Sequence, residues 1–449
     1  MRISELFRKN KSQKTPDQAG FFHYSFEHGL EKLRVHLRID PDGSGLLLIN
    51  ANRIIHLNPS AADMAYLALE GAPIDQAIHF IKRKYRVSAQ QAERDYAQVS
   101  ATLENLLNPN GLCPVHDLDL EIIQPFSTRP SAPYRMDLAL TYRCNNDCAH
   151  CYNARPRSFP ELDTQDWMKI IDRVWAQGIP HVVFTGGEPT LRKDLPQLIG
   201  YAQEIGLVTG LNTNGRRLQD RAYLNELISA GLDHVQITLE SHDAIIHDTM
   251  VRAKEAWRQT VAGVRNALDT PLYVMTNTTM LRLNAPSLDQ TLDFLAEIAV
   301  PTVGLNALIY AGAGATCGEG LDEASLQPLL EIARTKTDLH NQRLIWYTPT
   351  QYCHFDPMQL ELGVKGCTAA LYNMCVEPDG SVIPCQSYYH PLGSMLHDDW
   401  KDIWEHDLSI HLRERRYVQE KCNGCLLLAE CGGGCPLSFQ NDINTDLLK

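Results

Sequence analysis

Thr141-Tyr142-Arg143-Cys144-Asn145-Asn146-Asp147-Cys148-Ala149-His150-Cys151-Tyr152 decides how this chain of 449 residues is read. Its thiols are separated by three and then two residues. Three thiolates on one short loop can hold three irons of a cubane cluster, which leaves the fourth iron without a protein ligand. An open iron can bind a small molecule and give it an electron. A zinc knuckle uses similar cysteine pairs, but a structural zinc wants four closed ligands. No fourth Cys or His stands at a matching distance along the chain.

The flanks point the same way. Met136 to Leu140 alternates like a strand just before the loop. A second strand-like run, His181 to Thr185, leads into Gly186-Gly187-Glu188-Pro189. Together these features resemble the radical S-adenosylmethionine family. The resemblance implies that Cys144, Cys148 and Cys151 carry a [4Fe-4S] cluster whose open iron takes the amino and carboxylate groups of S-adenosylmethionine. It also implies that His150 fills the aromatic slot before the third cysteine.

Composition sets the bounds. The length suggests two or three domains, and a 44% hydrophobic share is that of an ordinary soluble protein. No run of about 18 apolar residues exists, so nothing is expected to span a membrane. Residues 1–20 lack an apolar segment of the secretory kind and read as a disordered tail. A formal charge of -13 argues against nucleic acid as a partner. Thirteen cysteines without a secretory signal suit metal ligation in a reducing cytoplasm better than disulfides.

From Met136 onward strand-like and helix-like segments alternate. Strands are expected at 136–141, 181–185, 207–213, 234–240, 272–279 and 302–308, with helices starting near Asp163, Asp194, Leu218, Glu255 and Pro286. Gly178, Gly206 and Gly231 are the expected helix stops. Such alternation implies a parallel sheet with right-handed crossovers. Six units match the open (β/α)6 partial TIM barrel of the family, whose chemistry sits at the C-terminal strand ends. The barrel is placed at 135–342.

Before it, residues 21–108 read as a smaller module of three strands and three helices. Leu33, Val35, Leu37 and Ile39 alternate with charged residues, and 45–50 and 53–57 form a hairpin about Ala51-Asn52. Asn58-Pro59 starts a helix, and Ser88 with Gln91 makes a capping box for another. This winged-helix-like module resembles the PqqD-type peptide-recognition element, notably at Gly45-Leu46-Leu47-Leu48-Ile49-Asn50 and Leu57-Asn58-Pro59-Ser60-Ala61. An exposed hairpin edge can accept an extended peptide as a further strand. Residues 109–134, with five prolines, read as a linker.

In the pocket, Gly186 and Gly187 are expected to let the backbone approach the ligand's methionine group, with Glu188 and Pro189 fixing the turn. By resemblance, Asn214 of Asn212-Thr213-Asn214-Gly215 and Ser241 hold ribose hydroxyls and the carboxylate, with Glu240 a lesser candidate. Arg252 is placed to pair with the carboxylate.

The chain beyond 343 changes character. Twelve residues separate Cys367 from Gly380 and four separate Gly380 from Cys385; Cys422, Cys425, Cys431 and Cys435 follow with gaps of two, five and three. This spacing resembles the SPASM extension, placed at 343–449. It implies one auxiliary cluster on Cys367, Cys385 and Cys435, with Cys375 able to complete it. A second would use Cys422, Cys425 and Cys431, with zinc as the alternative occupant. Family members usually close the second cluster with a further cysteine, but none follows Cys435. Asp442, Asp446, solvent or substrate are the expected substitutes. Cys113, Cys317 and Cys353 are left over, and buried apolar packing is the default for each; Cys317 also lies in a loop expected at the barrel mouth.

The reading that results is a cytoplasmic radical S-adenosylmethionine peptide maturase. Cleavage of the cofactor would give a 5′-deoxyadenosyl radical that takes hydrogen from a ribosomally made precursor peptide, its leader held by the N-terminal module. A low-potential donor such as ferredoxin or flavodoxin is implied. Alternatives are action on a tetrapyrrole or other small molecule, and a non-catalytic iron-sulfur scaffold. Formylglycine formation is disfavoured, because that subgroup has an aspartate after the cysteine matching Cys385, and here Gln386 stands there.

Overall fold

The computed structural model describes residues 19–28, 31–50, 53–107 and 130–439. Residues 1–18 of the expected tail, the Ala51-Asn52 turn, most of the linker, Cys113, Asp442 and Asp446 lie outside the described residues, and Gly20 already belongs to the first strand. Two compact units divide after Ser131.

The first unit is a four-stranded antiparallel meander followed by three helices. Its strands are β1 (Gly20–His28), β2 (Glu31–Ile39), β3 (Gly45–Ile49) and β4 (Arg53–Leu57). The sequence suggested three strands; β1 is the addition. Phe21 and Phe22 put aromatics on both faces of β1, so its alternation is blurred, yet Phe22 is buried against Tyr66. Helix Pro59–Leu69 starts where Asn58 accepts the Ala61 N–H and proline occupies the first turn. Ser88 Oγ accepts the Gln91 N–H and starts helix Ala89–Leu107.

The second unit is built on one ten-stranded sheet, ordered β11-β10-β9-β8-β7-β6-β5-β12-β13-β14. The six expected strands are β5 (Arg135–Thr141), β6 (His181–Gly186), β7 (Val208–Thr213), β8 (His234–Thr238), β9 (Tyr273–Met280) and β10 (Thr302–Ala307), all parallel. Asp163 and Asp220 cap the helices that follow β5 and β7, while Gly206 and Gly231 stop helices at φ 105° and 106°. Met136, Leu138 and Leu140 of β5 enter the main core with Trp167 and Phe184, all fully buried. Ala139 faces a second buried group with Tyr142, Cys375 and Ile383. A strand buried on both faces needs an apolar run rather than strict alternation.

Three features go beyond the expected six units. Helix Ala244–Val251 intervenes before the expected helix at Glu255. Helix Glu323–Leu339 leads to β11 (Arg343–Trp346), which pairs in parallel with β10, so the barrel sheet runs past residue 342. At the other edge the cysteine-rich segment joins the same sheet. Its hairpin, β12 (Asn373–Val376) and β13 (Ser381–Ile383), turns at Gly380 with φ 89°, and β12 pairs in parallel with β5 so that Cys375 lies beside Asp137. A short strand, β14 (Gly393–Ser394), closes that edge.

One buried ion pair fastens the hairpin to the cysteine loop. Arg155 holds Glu377 through two bonds of 2.7 and 2.8 Å, and Tyr142 donates to the same carboxylate at 3.1 Å. Glu377 is fully buried, while a quarter of Arg155 stays in water. Removing one partner of a buried pair strands the other. Glu377→Ala should therefore cost about 3 kcal/mol, the low end for a buried pair. Thermal unfolding checks this, and Glu377→Gln should lose less.

Candidate active site and auxiliary cluster sites

Residues 142–153 form no helix or strand, so their backbone polar groups must find partners elsewhere. Those partners come from around the barrel. Arg157 donates to the carbonyls of Cys144 and Asn146, and Arg216 to the carbonyl of Asn145 and the side chain of Asn146. The Asp147 and Ala149 N–H groups donate to Val251 and Met250 at the end of helix Ala244–Val251. Gly314 N–H donates to the Cys151 carbonyl at 3.1 Å. A Cβ at Gly312 would lie 2.4 Å from the Asn153 carbonyl, so the Ala311–Gly318 loop needs glycine to pack there. Sequence reading missed both arginines and this glycine role, because each contact joins segments distant along the chain.

The double glycine has a firmer cause than the one expected. A Cβ at Gly186 would lie 2.1 Å from the Thr141 carbonyl, and one at Gly187 would lie 2.4 Å from the Arg143 carbonyl. A side chain at either position would therefore collide with the cysteine loop. Gly187 and Glu188 N–H groups donate to Thr141 and Arg143 at 2.7 and 2.9 Å, continuing the β5–β6 pairing into the loop. Glu188 is fully buried and accepts from Thr190, from the Thr213 hydroxyl and from the Asn214 N–H. Burial raises its pKa, and these donors oppose the rise. Its carboxylate thus ties the turn after β6 to the end of β7, and Pro189 continues that turn as a short 3-10 helix.

Glu240 does more than its sequence context suggested. Its carboxylate, fully buried at the end of β8, meets His150 Nε2 at 2.8 Å and accepts the Thr279 N–H of β9. Burial lowers the His150 pKa, but the adjacent Glu240 carboxylate outweighs it and leaves a net upward shift. His150 therefore serves as a polar strut between the cysteine loop and two strand ends. Asn214 Nδ2 donates to Asn145, which brings it to the loop. Ser241 is fully buried and its hydroxyl accepts the Asp243 N–H. Arg252 is exposed, with φ 49°, directly after Val251, whose carbonyl binds the loop.

The C-terminal cysteines gather in two places. Cys367, Cys385 and Cys435 pack in one group with Ala369, Ala370 and Tyr388. Cys375, buried on β12, interacts electrostatically with Cys385. Cys422 interacts in the same way with Cys431 and Cys425. Cys317 packs against Met250, Leu281 and Leu308 but is only half-buried, short of the buried packing that is the default for a spare cysteine. Cys353 is exposed and departs from that default. All twelve described cysteines are free thiols.

The donor set suits iron-sulfur clusters. Among the described residues no three Cys, His, Asp or Glu side chains converge tightly enough for a single ion. The loop thiols nevertheless sense one another, as do Cys367, Cys385 and Cys435. Three thiolates with one iron left open are the ligand set of a cubane, whereas a structural zinc wants four closed ligands. Burial pushes the Cys144 thiol up to about 11 and also raises Cys148 and Cys151.

A thiol whose pKa is higher in the fold than its ordinary 9.0 stabilises the fold below pH 9 and ceases to do so above it. The metal-free protein should therefore lose stability as pH rises from 9 towards 11, measured by chemical unfolding, and cluster loading should flatten that slope. Gly187→Ala should drive the turn into the loop carbonyls and abolish assembly of the first cluster. Iron content and low-temperature electron paramagnetic resonance would report this with both auxiliary clusters retained.

Residues 138–295 match the Radical SAM superfamily, and residues 367–426 match SPASM, an iron-sulfur cluster-binding domain. The fold is similar to that of SuiB from Streptococcus suis bound to the precursor peptide SuiA, at 17% identity and TM-score 0.67, over 91% of this chain and 95% of that one. SuiB bound to S-adenosylmethionine superposes with TM-score 0.65 at 18% identity, over 91% and 96% of the two chains. anSMEcpe with bound AdoMet and the Kp18Cys peptide shares 17% identity and TM-score 0.54, over 67% of this chain and 89% of that one. The chain is thus an enzyme that carries a radical SAM superfamily domain and, C-terminal to it, an iron-sulfur cluster-binding SPASM domain.

Proposed function

We propose that the enzyme matures a ribosomally made peptide, holding a leader segment on its N-terminal unit. The observation that carries this reading is a groove of about 210 Å³ between the β3–β4 hairpin and helix Ala89–Leu107. Leu47, Ile55 and Leu57 form one wall, Val99 and Leu103 the other. Among the described residues β4 pairs with β3 alone, and its outer edge is where an extended peptide would add as a further strand. The groove would take apolar side chains while the strand edge takes the backbone. The fold match to SuiB bound to the precursor peptide SuiA supports the same reading.

When bound, the first cluster would reduce S-adenosylmethionine to methionine and a radical able to take hydrogen from an unactivated carbon. This chain's residues supply the setting. Cys144, Cys148 and Cys151 would hold the cluster. Glu188 and Glu240 fix the strand ends around it through hydrogen bonds of 2.6 to 3.1 Å. Asn214, Ser241 and Arg252 would bind the polar parts of the nucleoside amino acid, with Arg252 facing its carboxylate. Gln386, held by the Tyr152 hydroxyl at 2.7 Å, offers an amide where a carboxylate base would stand for formylglycine formation.

The test is anaerobic incubation with S-adenosylmethionine, a low-potential reductant and a candidate precursor peptide that includes its leader segment, followed by mass spectrometry. A changed peptide mass together with 5′-deoxyadenosine is expected; 5′-deoxyadenosine without any peptide change would contradict the peptide reading. Val99→Glu should weaken peptide binding by roughly tenfold or more through burial of an unpaired charge in the groove. Uncoupled cofactor cleavage without peptide should stay unchanged.

A further inference from the structure

The second auxiliary site has three thiols along the sequence, Cys422, Cys425 and Cys431. The structure brings another segment onto it. After β11 the chain passes Thr350-Gln351-Tyr352-Cys353 across the loop that carries these thiols. Tyr352 N–H donates to Cys431 Sγ at 3.4 Å, and Cys431 Sγ donates to the Thr350 carbonyl at 3.5 Å. Gln351 Nε2 reaches the Gly433 carbonyl at 3.3 Å. A Cβ at Gly434 would lie 2.9 Å from Gln351 Cγ, so the glycine allows this close seat. Cys353 Sγ and Lys421 Nζ both donate to one oxygen, Gln351 Oε1, at 3.8 and 3.3 Å. Lys421 is the residue just before Cys422.

We propose that Cys353, from the segment between the barrel and the SPASM hairpin, is the fourth protein ligand of the second auxiliary cluster. Two further observations agree. Beyond burial and Cys431, the thiol sensed by Cys422 from outside its own loop is that of Cys353. Cys353 is also exposed, an unusual position for a cysteine that only packs. Ligation forms one iron–sulfur bond and releases the thiol proton to water, with no change of oxidation state. The cluster would then link the end of the barrel to the C-terminal loop, as a disulfide might elsewhere. The inference rests on the auxiliary clusters and not on the peptide reading, since no substrate enters its test.

Cluster-loaded enzyme is treated briefly with an alkylating reagent under anaerobic conditions, and the Cys353 peptide is quantified by mass spectrometry. Exposed as it is in the fold, Cys353 should react roughly tenfold or more slowly when loaded than after chelation strips the clusters. Equal rates in the two states would overturn the proposal. A second measurement uses a Cys144→Ala, Cys148→Ala, Cys151→Ala parent, which lacks the naturally open cluster. Adding Cys353→Ala to it should remove about one iron or more per chain, or give a three-iron signal on mild oxidation. Unchanged iron content and spectrum would also overturn it. If that variant does not fold, the alkylation rates decide.

Discussion

Backbone groups that lie outside helices and strands must still be hydrogen-bonded, and the cysteine loop meets this demand with donors and acceptors drawn from the whole barrel mouth. Arg157, Arg216, helix Ala244–Val251, the Gly186-Gly187 turn and the Ala311–Gly318 loop each hold a different part of it. A loop tied by so many separate segments has little freedom left to lose when it takes up metal. The ordering cost is met by folding of the barrel rather than by the cluster. The two glycines serve this loop directly, since their missing Cβ atoms make room for its carbonyls.

The same economy runs through the buried carboxylates. Glu188, Glu240 and Glu377 are fully buried, and each joins elements far apart in sequence. Glu188 joins the turn after β6 to β7, Glu240 joins the loop to β8 and β9, and Glu377 joins the loop to the SPASM hairpin. Because β12 pairs with β5, the strand that delivers the first cysteine is also the strand that anchors the auxiliary domain.

Much of this was legible in the sequence where a signal is local. The cysteine spacing, the strand–helix alternation, the aspartate caps and the glycine stops are short-range features, and the six parallel strands follow from them. What stayed hidden depends on contacts between distant segments. Glu240 looked secondary because its partner His150 is 90 residues away. Arg157 and Arg216 carry no pattern that separates them from surface arginines. Strand β1 was missed because its aromatics fall on both faces, and Cys353 was set aside because the thiols it adjoins lie some seventy residues later. Helix Ala244–Val251 is short and mostly apolar, so it resembled part of a loop between strand and helix.

The barrel forms the cysteine loop before any metal arrives. Amide hydrogen exchange on the metal-free protein tests it most directly, read at Asp147, Ala149, Gly187 and Glu188, whose N–H groups donate to Val251, Met250, Thr141 and Arg143. A preformed loop predicts protection at these four comparable to that of the central strands β6 and β7. Exchange at the rate of an unfolded chain, slowed only once the cluster is loaded, would contradict the account.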